Sequence, residues 1–502
     1  MHLHFNRYYA TYLTKTRRCR RAIPNVRNVT WPRPRQMYST VPYCMQMNTD
    51  GREAGPTLAD QLGKWAVGAG LGVAPPRMEK VLDSIVDTVG VTVLGLAQPD
   101  LDPVSALVPL LRSGVPFWDG AAASTAPGAA FLNATAGHLL DFDDTHYQIH
   151  GHPSTVVLPA VFAAAPAGAS GASIVRGYLA GLGAMSAVAA LYGPEHYSRG
   201  WHSTSTCGVV GAAVGSAVVR GQPAAAVANA ISISISMTQG VRANFGTLMK
   251  PIHAGLAARA GVEASMLSEA GVTASPVALD GRYGGTALFG ERGSQSQLLS
   301  AEALQQVAAG AADDLGIKLY PCCRGSHLAI DAALDAAADL PKGTVIDRIE
   351  LLVPWGTRTA LLYDEPASGM EAKFSLPYAV ATALVRGTPR MEHFTDAAVR
   401  EPAVRMLMDT IDITEDTARG DLSATMDGRY ADLVLFLRGG GLRRVRVENA
   451  RGSAERPLTP AEVDEKFMST AGSVLHVDKA CELLARLRQL VHLPSVDGLF
   501  RN

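Results

Sequence analysis

Helical stretches rich in Ala and Gly fill much of the sequence between residues 78 and 270, and they constrain the fold more than any other feature. Within the first stretch, Leu82, Ile85, Val89 and Val93 recur at the spacing of one helix face. The stretches that share this character are residues 78–97, 128–140, 174–192, 208–219, 224–237 and 254–270. Because small side chains let neighbouring helices approach closely, we expect a compact bundle of buried helices.

Beyond about residue 315 the pattern changes to a mixture of strands and helices. The segments predicted to be strands are residues 345–353, 431–437 and 442–447. The glycines at 439–441 predict a hairpin between the last two strands. A helical pattern over 397–408 contains Pro402, which must bend or restart the helix. The chain then returns to helix at 461–468 and 479–491.

These patterns predict a mainly α protein with two unequal domains. Residues 55–314 form a large all-helical domain, and residues 315–450 form a smaller α+β domain. Residues 451–495 are expected to be C-terminal helices that return to the helical domain. A length of 502 residues fits more than one domain.

The charge is distributed unevenly along the chain. Residues 1–49 contain nine of the 45 Lys and Arg residues, whereas all 46 Asp and Glu residues follow them. The remainder is therefore acidic, which argues against nucleic acid as a partner because phosphate binding needs a basic surface. An Arg-rich start without acids is typical of a mitochondrial transit peptide. We expect residues 1–50 to be disordered or a transit peptide, and the protein to lie in the mitochondrial matrix if it is one, otherwise in the cytoplasm.

The six cysteines show no C-x-x-C spacing, which favours a reducing compartment over disulfide pairing. A long uncharged run over residues 155–175 is interrupted by Pro159 and Pro166. This run is therefore predicted to be a packed internal helix, and no membrane insertion is expected.

The densest polar cluster extends from Asp141 to His146 and continues through His152 to Pro153. It follows an Ala-rich helix, a common place for site residues on a rigid scaffold. Its carboxylates and imidazoles can supply an acid, a base or metal ligands. Capping of a surface helix by Asp and Thr is the simpler alternative. A magnesium site is a further alternative, although a second Asp-rich motif is not evident.

Three later clusters also precede or begin helices. His202 lies among Ser and Thr residues before a small-residue helix, where it can meet an anion or serve only as part of a cap. Lys250 stands just ahead of Pro251 at a predicted helix start. The fourth cluster, residues 318–327, contains Lys318, two cysteines, Arg324 and His327. Its cysteines have no base nearby in sequence, so burial is expected rather than reactivity.

Taken in order, these motifs resemble those of the MmgE/PrpD family. The motifs are DFDDTH with a following HP, GWHSTS, KPIHAGLAARAG, KLYPCC with a following His, and EAKFSLPY at residues 371–378. The resemblance covers about residues 55–490. It implies an all-helical large domain, an α+β lid, a homodimer and a site in the cleft between the domains. It also implies that neither a metal nor an organic cofactor is needed.

Members of this family include 2-methylcitrate dehydratases, cis-aconitate decarboxylases and epimerases, and this chain looks most similar to the decarboxylases. The resemblance therefore implies decarboxylation of a small tricarboxylate, cis-aconitate, to itaconate. The positions that it assigns to catalysis are Asp141, Thr145, His152, His202, Lys250 and Tyr378. The residues expected to bind substrate are His202, Lys250, Lys318, Arg324 and His327. Cys323 stands where animal decarboxylases would have a His, which puts a direct role for that position in doubt.

In this interpretation His202 and Lys250, if protonated, hold carboxylates and stabilise the carbanion. His152 donates a proton, Asp141 and Thr145 orient it, and Tyr378 reaches in from the lid. His152 can remain charged near neutral pH only if an acid such as Asp141 is close. Three alternatives stay open: a dehydratase or isomerase of a 2-methylcitrate-like tricarboxylate, a metal-dependent all-helical enzyme that uses the Asp-rich motif, and a non-catalytic binding protein.

Overall fold

The computed structural model describes residues 55–70, 74–290, 300–338, 340–341, 343–419 and 429–501. The predicted basic segment at residues 1–50 lies outside these ranges. The chain from Pro56 onward forms one compact unit. The proposed domain boundaries at residues 314 and 450 stay predictions.

Helices dominate the described residues before 315, which confirms the mainly α prediction. Those of ten or more residues are α1 (Leu58–Gly68), α2 (Pro75–Leu96), α4 (Ala126–Leu139), α5 (Ser154–Ala164), α6 (Gly171–Tyr192), α9 (Gly208–Val219), α10 (Ala224–Ile235), α11 (Met249–Glu269) and α13 (Ala301–Gly310). Shorter ones are α3 (Asp102–Ser105), α7 (Glu195–Ser198), α8 (Ser203–Thr206) and α12 (Gly285–Phe289). Two short strand pairs lie among them, β1 (Val115–Pro116) with β2 (Ala123–Ser124), and β3 (Thr145–His146) with β4 (Leu315–Gly316).

Glycine lets several of these helices touch through their backbones. A Cβ on Gly95 of α2 would lie 2.0 Å from the carbonyl oxygen of Ala136 in α4, and one on Gly261 of α11 would lie 2.3 Å from the Cβ of Ala212 in α9. Helix α4 packs on α11, and α9 packs on α6 and α11. The small-residue composition therefore acts as predicted, by allowing close helix packing.

Residues 320–447, here called the sheet region, surround a four-stranded sheet. Its strands are β5 (Ile346–Pro354), β6 (Ile411–Asp416), β7 (Ala431–Leu437) and β8 (Gly441–Val447), in the order β6-β5-β7-β8. Strand β5 runs parallel to β6 and antiparallel to β7, and β7 and β8 form the predicted hairpin. The helices of this region are α14 (His327–Ala337), α15 (Gly369–Ala372), α16 (Leu376–Arg386), α17 (Asp396–Val399) and α18 (Pro402–Met408). As predicted, Pro402 restarts the helix, because α18 begins at that residue.

The last two helices pack against α2 rather than against the sheet. They are α19 (Pro460–Thr470) and α20 (Val477–Arg488). Val463, Phe467 and Leu487 belong to the same hydrophobic cluster as the helices of the first part, whereas the sheet and the helices on it form a separate cluster. Residues from the end of the chain therefore support the helices that carry the site.

Helix α6 is long and apolar enough to cross a membrane, and α2 passes the same test only together with a bent continuation. Most of α6, 78% of its most apolar window, is buried inside the protein. That burial is typical of a core helix, so among the described residues this is weak evidence for a membrane span.

Candidate active site

A cavity of about 720 Å³ brings together residues from both parts of the chain. Six of the predicted site residues line it: Asp141, Thr145, His152, His202, Lys250 and Arg324. On the opposite side it is lined by Thr357, Thr359 and Phe374 of the sheet region. The four sequence motifs that are far apart along the chain therefore meet at one place.

Three buried lysines fix the segment that follows α4. Lys373 donates to the carbonyl of Leu140 (2.7 Å), Lys318 to that of Asp141 (2.9 Å) and Lys466 to that of Phe142 (2.8 Å). Buried carbonyls that follow a helix end have no partner in the helix ladder and need a donor from elsewhere. The ammonium groups satisfy these carbonyls and hold Asp141 in a left-handed conformation, with φ of 51°. The backbone of the DFDDTH motif is thus positioned by residues from distant parts of the chain.

Asp141 is the carboxylate on which two ammonium groups at the cavity converge. Lys250 donates to its Oδ1, and Lys318 lies 3.0 Å from its Oδ2. Burial alone would raise the pKa of Asp141, but the two ammonium groups outweigh burial and hold this pKa well below its usual range. Asp141 is therefore an anion clamped between two cations.

Asp143, which the sequence analysis did not single out, is the closest acid to His152. Its Oδ2 lies 3.2 Å from Nδ1 of His152 and 2.9 Å from Nδ1 of His138, whereas Asp141 Oδ1 is 3.9 Å from Nε2 of His152. Burial lowers the pKa of His152, and Asp143 only partly opposes this. The pKa of His138 is lowered to about 3, chiefly by burial. The acid close to His152 is thus Asp143 rather than Asp141, and burial outweighs its charge: His152 is neutral near pH 7 in the free protein, and Asp143 orients it.

His202 is also neutral, although its expected role of holding a carboxylate was conditional on a protonated ring. Burial lowers its pKa well below the usual range, and Lys250 adds to this effect. Its ring is 5.0 Å from Phe245 and 5.7 Å from His138, measured between ring centroids. Because His152 and His202 carry no charge, the positive side chains that line the cavity are Lys250, Arg324 and Arg429. Lys373 lies behind this wall, with a pKa that burial lowers to about 8.

Three predicted residues, Tyr378, His327 and Lys318, do not line the cavity. Tyr378 lies in α16 with 1% of its surface exposed, and its hydroxyl donates to the carbonyl of His393 (2.5 Å). Its ring packs on Phe394 within the core of the sheet region, so the prediction that it reaches into the site is corrected. His327 is fully buried, and its Nε2 lies 3.3 Å from the carbonyl of Cys322.

Arg324 marks the mouth of the cavity. Its guanidinium donates to the hydroxyl of Tyr147 (3.2 Å) and to the carbonyl of Arg451 (3.3 Å). Tyr147 and Arg324 also line a second, more polar cavity of about 1220 Å³. The two residues therefore stand between the site and a wider vestibule. Lys318 contacts Asp141 without lining the cavity, so its effect on a ligand passes through that carboxylate.

Two domain models of one protein family together match most of the chain. The MmgE/PrpD N-terminal domain matches residues 60–297, and the MmgE/PrpD C-terminal domain matches residues 320–489. The chain belongs to the MmgE/PrpD family. The resemblance indicated by the sequence motifs is thereby confirmed.

Several curated relatives of this MmgE/PrpD protein carry the same name. The cis-aconitate decarboxylase of Homo sapiens is 25% identical over 389 residues, which cover 74% of this chain and 78% of that protein. The enzyme of Mus musculus is 26% identical over 400 residues, covering 74% and 77%. The enzyme of Aspergillus terreus is 25% identical over 417 residues, covering 76% and 80%.

Four residues of this MmgE/PrpD site have the composition of a metal site. Atoms of His138, Asp141, Asp143 and His152 lie within 4.8 Å of one another. Both carboxylate oxygens of Asp141, however, already contact ammonium groups, and one oxygen of Asp143 lies between two imidazoles. A cation would have to displace these contacts. These contacts therefore disfavour a metal ion at Asp141.

The two adjacent cysteines differ in their surroundings. Cys322 is fully buried, and burial raises its pKa to about 12. Cys323 lines the cavity, and burial raises its pKa as well. Both side chains are therefore thiols rather than thiolates near pH 7, as expected from the absence of a base nearby in sequence.

Proposed function

We propose that this protein is a cofactor-independent carboxy-lyase that converts cis-aconitate to itaconate and carbon dioxide. The proposal rests on the family, on the names of its relatives and above all on one observation. That observation is the pair of ammonium groups, Lys250 and Lys318, that meet Asp141 beside two neutral histidines. Such a site can attract a polyanion, stabilise developing negative charge and move a proton without a metal.

The reaction begins with the loss of the carboxylate on the methylene carbon of cis-aconitate. The bond between this carbon and the carboxylate breaks, carbon dioxide leaves, and the electron pair delocalises over the allylic system into a neighbouring carboxylate. Lys250 lies in the cavity wall, where it stabilises this charge. Arg324, at the mouth, holds a spectator carboxylate.

A proton must then reach the former alkene carbon, and His152 is the proposed donor. His152 is neutral in the free protein, so it must gain a proton when substrate binds. Carboxylates of the substrate supply the cause, because nearby negative charge raises the pKa of an imidazole. Asp143 holds Nδ1 of His152 and leaves Nε2 to carry the proton. Protonation of the alkene carbon gives itaconate.

The test is incubation of the purified full-length chain with cis-aconitate and, separately, with 2-methylcitrate, both in EDTA. We expect carbon dioxide and itaconate from cis-aconitate. Lys250→Met should lower this activity by about 100-fold or more, whereas Lys64→Met, at an exposed position of α1, should leave it unchanged. Formation of 2-methylaconitate without carbon dioxide would identify a dehydratase instead. Loss of activity in EDTA would favour a metal enzyme, and binding without turnover would favour a binding protein.

We also propose that the sheet region acts as a lid, that the protein is a homodimer and that residues 1–50 direct it to the mitochondrial matrix. Light scattering of the purified chain tests the dimer. A fusion of residues 1–50 to a fluorescent protein tests the targeting, and cytoplasmic fluorescence would contradict it.

A further inference from the structure

His253 contacts His202 behind the wall of the cavity. It lies in α11, one turn after Lys250, and its Nδ1 is 3.2 Å from Nδ1 of His202. His253 is buried and does not line the cavity, whereas His202 does. The hydroxyl of Ser205 donates to the carbonyl of His253 (3.1 Å), which joins α11 to the segment that carries His202. The Nδ1 edge of His202 is therefore committed to His253, and its other edge is left for a ligand.

A contact between two ring nitrogens at this distance needs one hydrogen between them. Burial lowers the pKa of His253 to about 4 and that of His202 well below its usual range. Each ring is therefore neutral and has a single hydrogen, on one of its two nitrogens. If His253 supplies the shared hydrogen, His202 must have its own on Nε2. If His202 supplies it, Nε2 of His202 presents a lone pair.

We propose that His253 is a positioning residue: its Nδ1–H donates to Nδ1 of His202 and so keeps the hydrogen of His202 on Nε2, where it donates to a substrate carboxylate. This inference rests on the proposed function, because the ligand is assumed to be an anion. A carboxylate accepts hydrogen bonds and repels a lone pair. Only one of the two arrangements therefore binds it, and the choice is made by a residue that never touches the substrate.

The first measurement is the hydrogen position itself. ¹⁵N chemical shifts of labelled imidazoles separate a protonated nitrogen from one with a lone pair, and comparison with His202→Asn assigns the signals. We expect hydrogen on Nε2 of His202, both in the free protein and with propane-1,2,3-tricarboxylate, a saturated analogue that cannot form the allylic carbanion. Hydrogen on Nδ1 of His202 in the complex would overturn the proposal, whether or not the protein turns over cis-aconitate.

The second measurement is calorimetric binding of the same analogue to two variants. His253→Phe keeps the ring volume but removes the donor, and we expect about tenfold weaker binding. His253→Asn offers an amide donor near the position of Nδ1 and should restore most of the affinity. With cis-aconitate, KM should rise more than kcat falls. His393→Phe is the control, since His393 lies in the sheet region and does not line the cavity; it should leave binding unchanged.

The outcomes separate this proposal from the proposed function. Wild-type affinity in His253→Phe, or equal loss in His253→Phe and His253→Asn, would contradict the role of the donor. If His253→Phe does not fold, the ¹⁵N signals of the wild type and the affinity of His253→Asn for the saturated analogue still test the proposal. Absence of carbon dioxide from cis-aconitate would end the proposed reaction, while the hydrogen position on His202 would stand or fall independently.

Discussion

Replacement of Asp143 by Asn tests whether this acid, rather than Asp141, controls His152. The substitution keeps the size of the side chain but removes the negative charge that lies 3.2 Å from Nδ1 of His152 and 2.9 Å from Nδ1 of His138. Asp143 opposes the effect of burial on the pKa of His152. Without it, that pKa must fall further, and the protonated form becomes rarer. An Asn amide that donates to Nδ1 would also disfavour the imidazolium, because Nδ1 must then keep its lone pair.

The size of the effect follows from the charged contact that is lost. An opposite charge this close to a buried imidazole shifts its pKa by about one to two units, which corresponds to about 1.5–3 kcal/mol. If His152 must be protonated to act as the acid, activity is lost as the pH rises through its pKa in the complex. In Asp143→Asn this basic limb should move to lower pH by about one to two units. At a fixed neutral pH, kcat should fall by about 10- to 150-fold.

The assay is release of carbon dioxide from cis-aconitate over about pH 5.5–8.5. Asp144→Asn is the matched control, because Asp144 is equally buried but its carboxylate accepts hydrogen bonds from Ser84 and Ser154. Burial raises the pKa of Asp144 to about 7, so a neutral amide is a mild replacement. The reasoning would be refuted if Asp143→Asn kept the pH profile of the wild type, or if both variants shifted it equally.

Two further predictions concern stability. Lys466→Met removes the partner of Asp87, 2.5 Å away, and should cost about 3–5 kcal/mol of unfolding free energy at pH 8. The loss of unfolding free energy should be smaller near pH 5. Burial raises the pKa of Asp87 in the folded protein to about 6, so at pH 5 this carboxyl is protonated and no longer depends on the charge of Lys466. Equal losses in urea titrations at pH 5 and pH 8 would contradict this reasoning. Gly95→Ala should lower the free energy of unfolding by about 1–3 kcal/mol, because the added methyl group would push α2 away from the carbonyl of Ala136. Gly310→Ala, where nothing lies within 4 Å, is its control and should be close to neutral by thermal denaturation.

The sequence predicted the elements whose pattern is local. Strand β7 has its predicted limits, β8 begins one residue earlier than predicted, and β5 is shifted by one residue at both ends. The hairpin glycines lie where expected. Strand β6 was missed. It is a short edge strand in which Ile411 and Ile413 alternate with polar residues, so few apolar positions distinguish it from a loop. Its parallel pairing with β5 depends on the fold of the whole region.

The sequence predicted which residues form the site better than it predicted their charges and contacts. The order of the motifs assigned His152 and Lys250 to one site, and both residues line the same cavity. The signal that could have found Asp143 is its place in the same DFDDTH motif, but which acid faces His152 depends on the turn after α4. The charges of the histidines depend on burial, which a local pattern does not encode. For Tyr378, the motif specified a position while the packing of α16 directed the side chain elsewhere.

The three lysines that hold the carbonyls after α4 also determine the stage of protein synthesis at which the site can form. Asp141 is translated long before Lys318, Lys373 and finally Lys466. At about 5–20 residues per second, the interval is on the order of tens of seconds. A nascent chain can pack its early helices in that time, yet its turn after α4 lacks the donors that shape it. The ability to bind a ligand in this cavity should therefore appear abruptly, when nearly the whole polypeptide has left the ribosome.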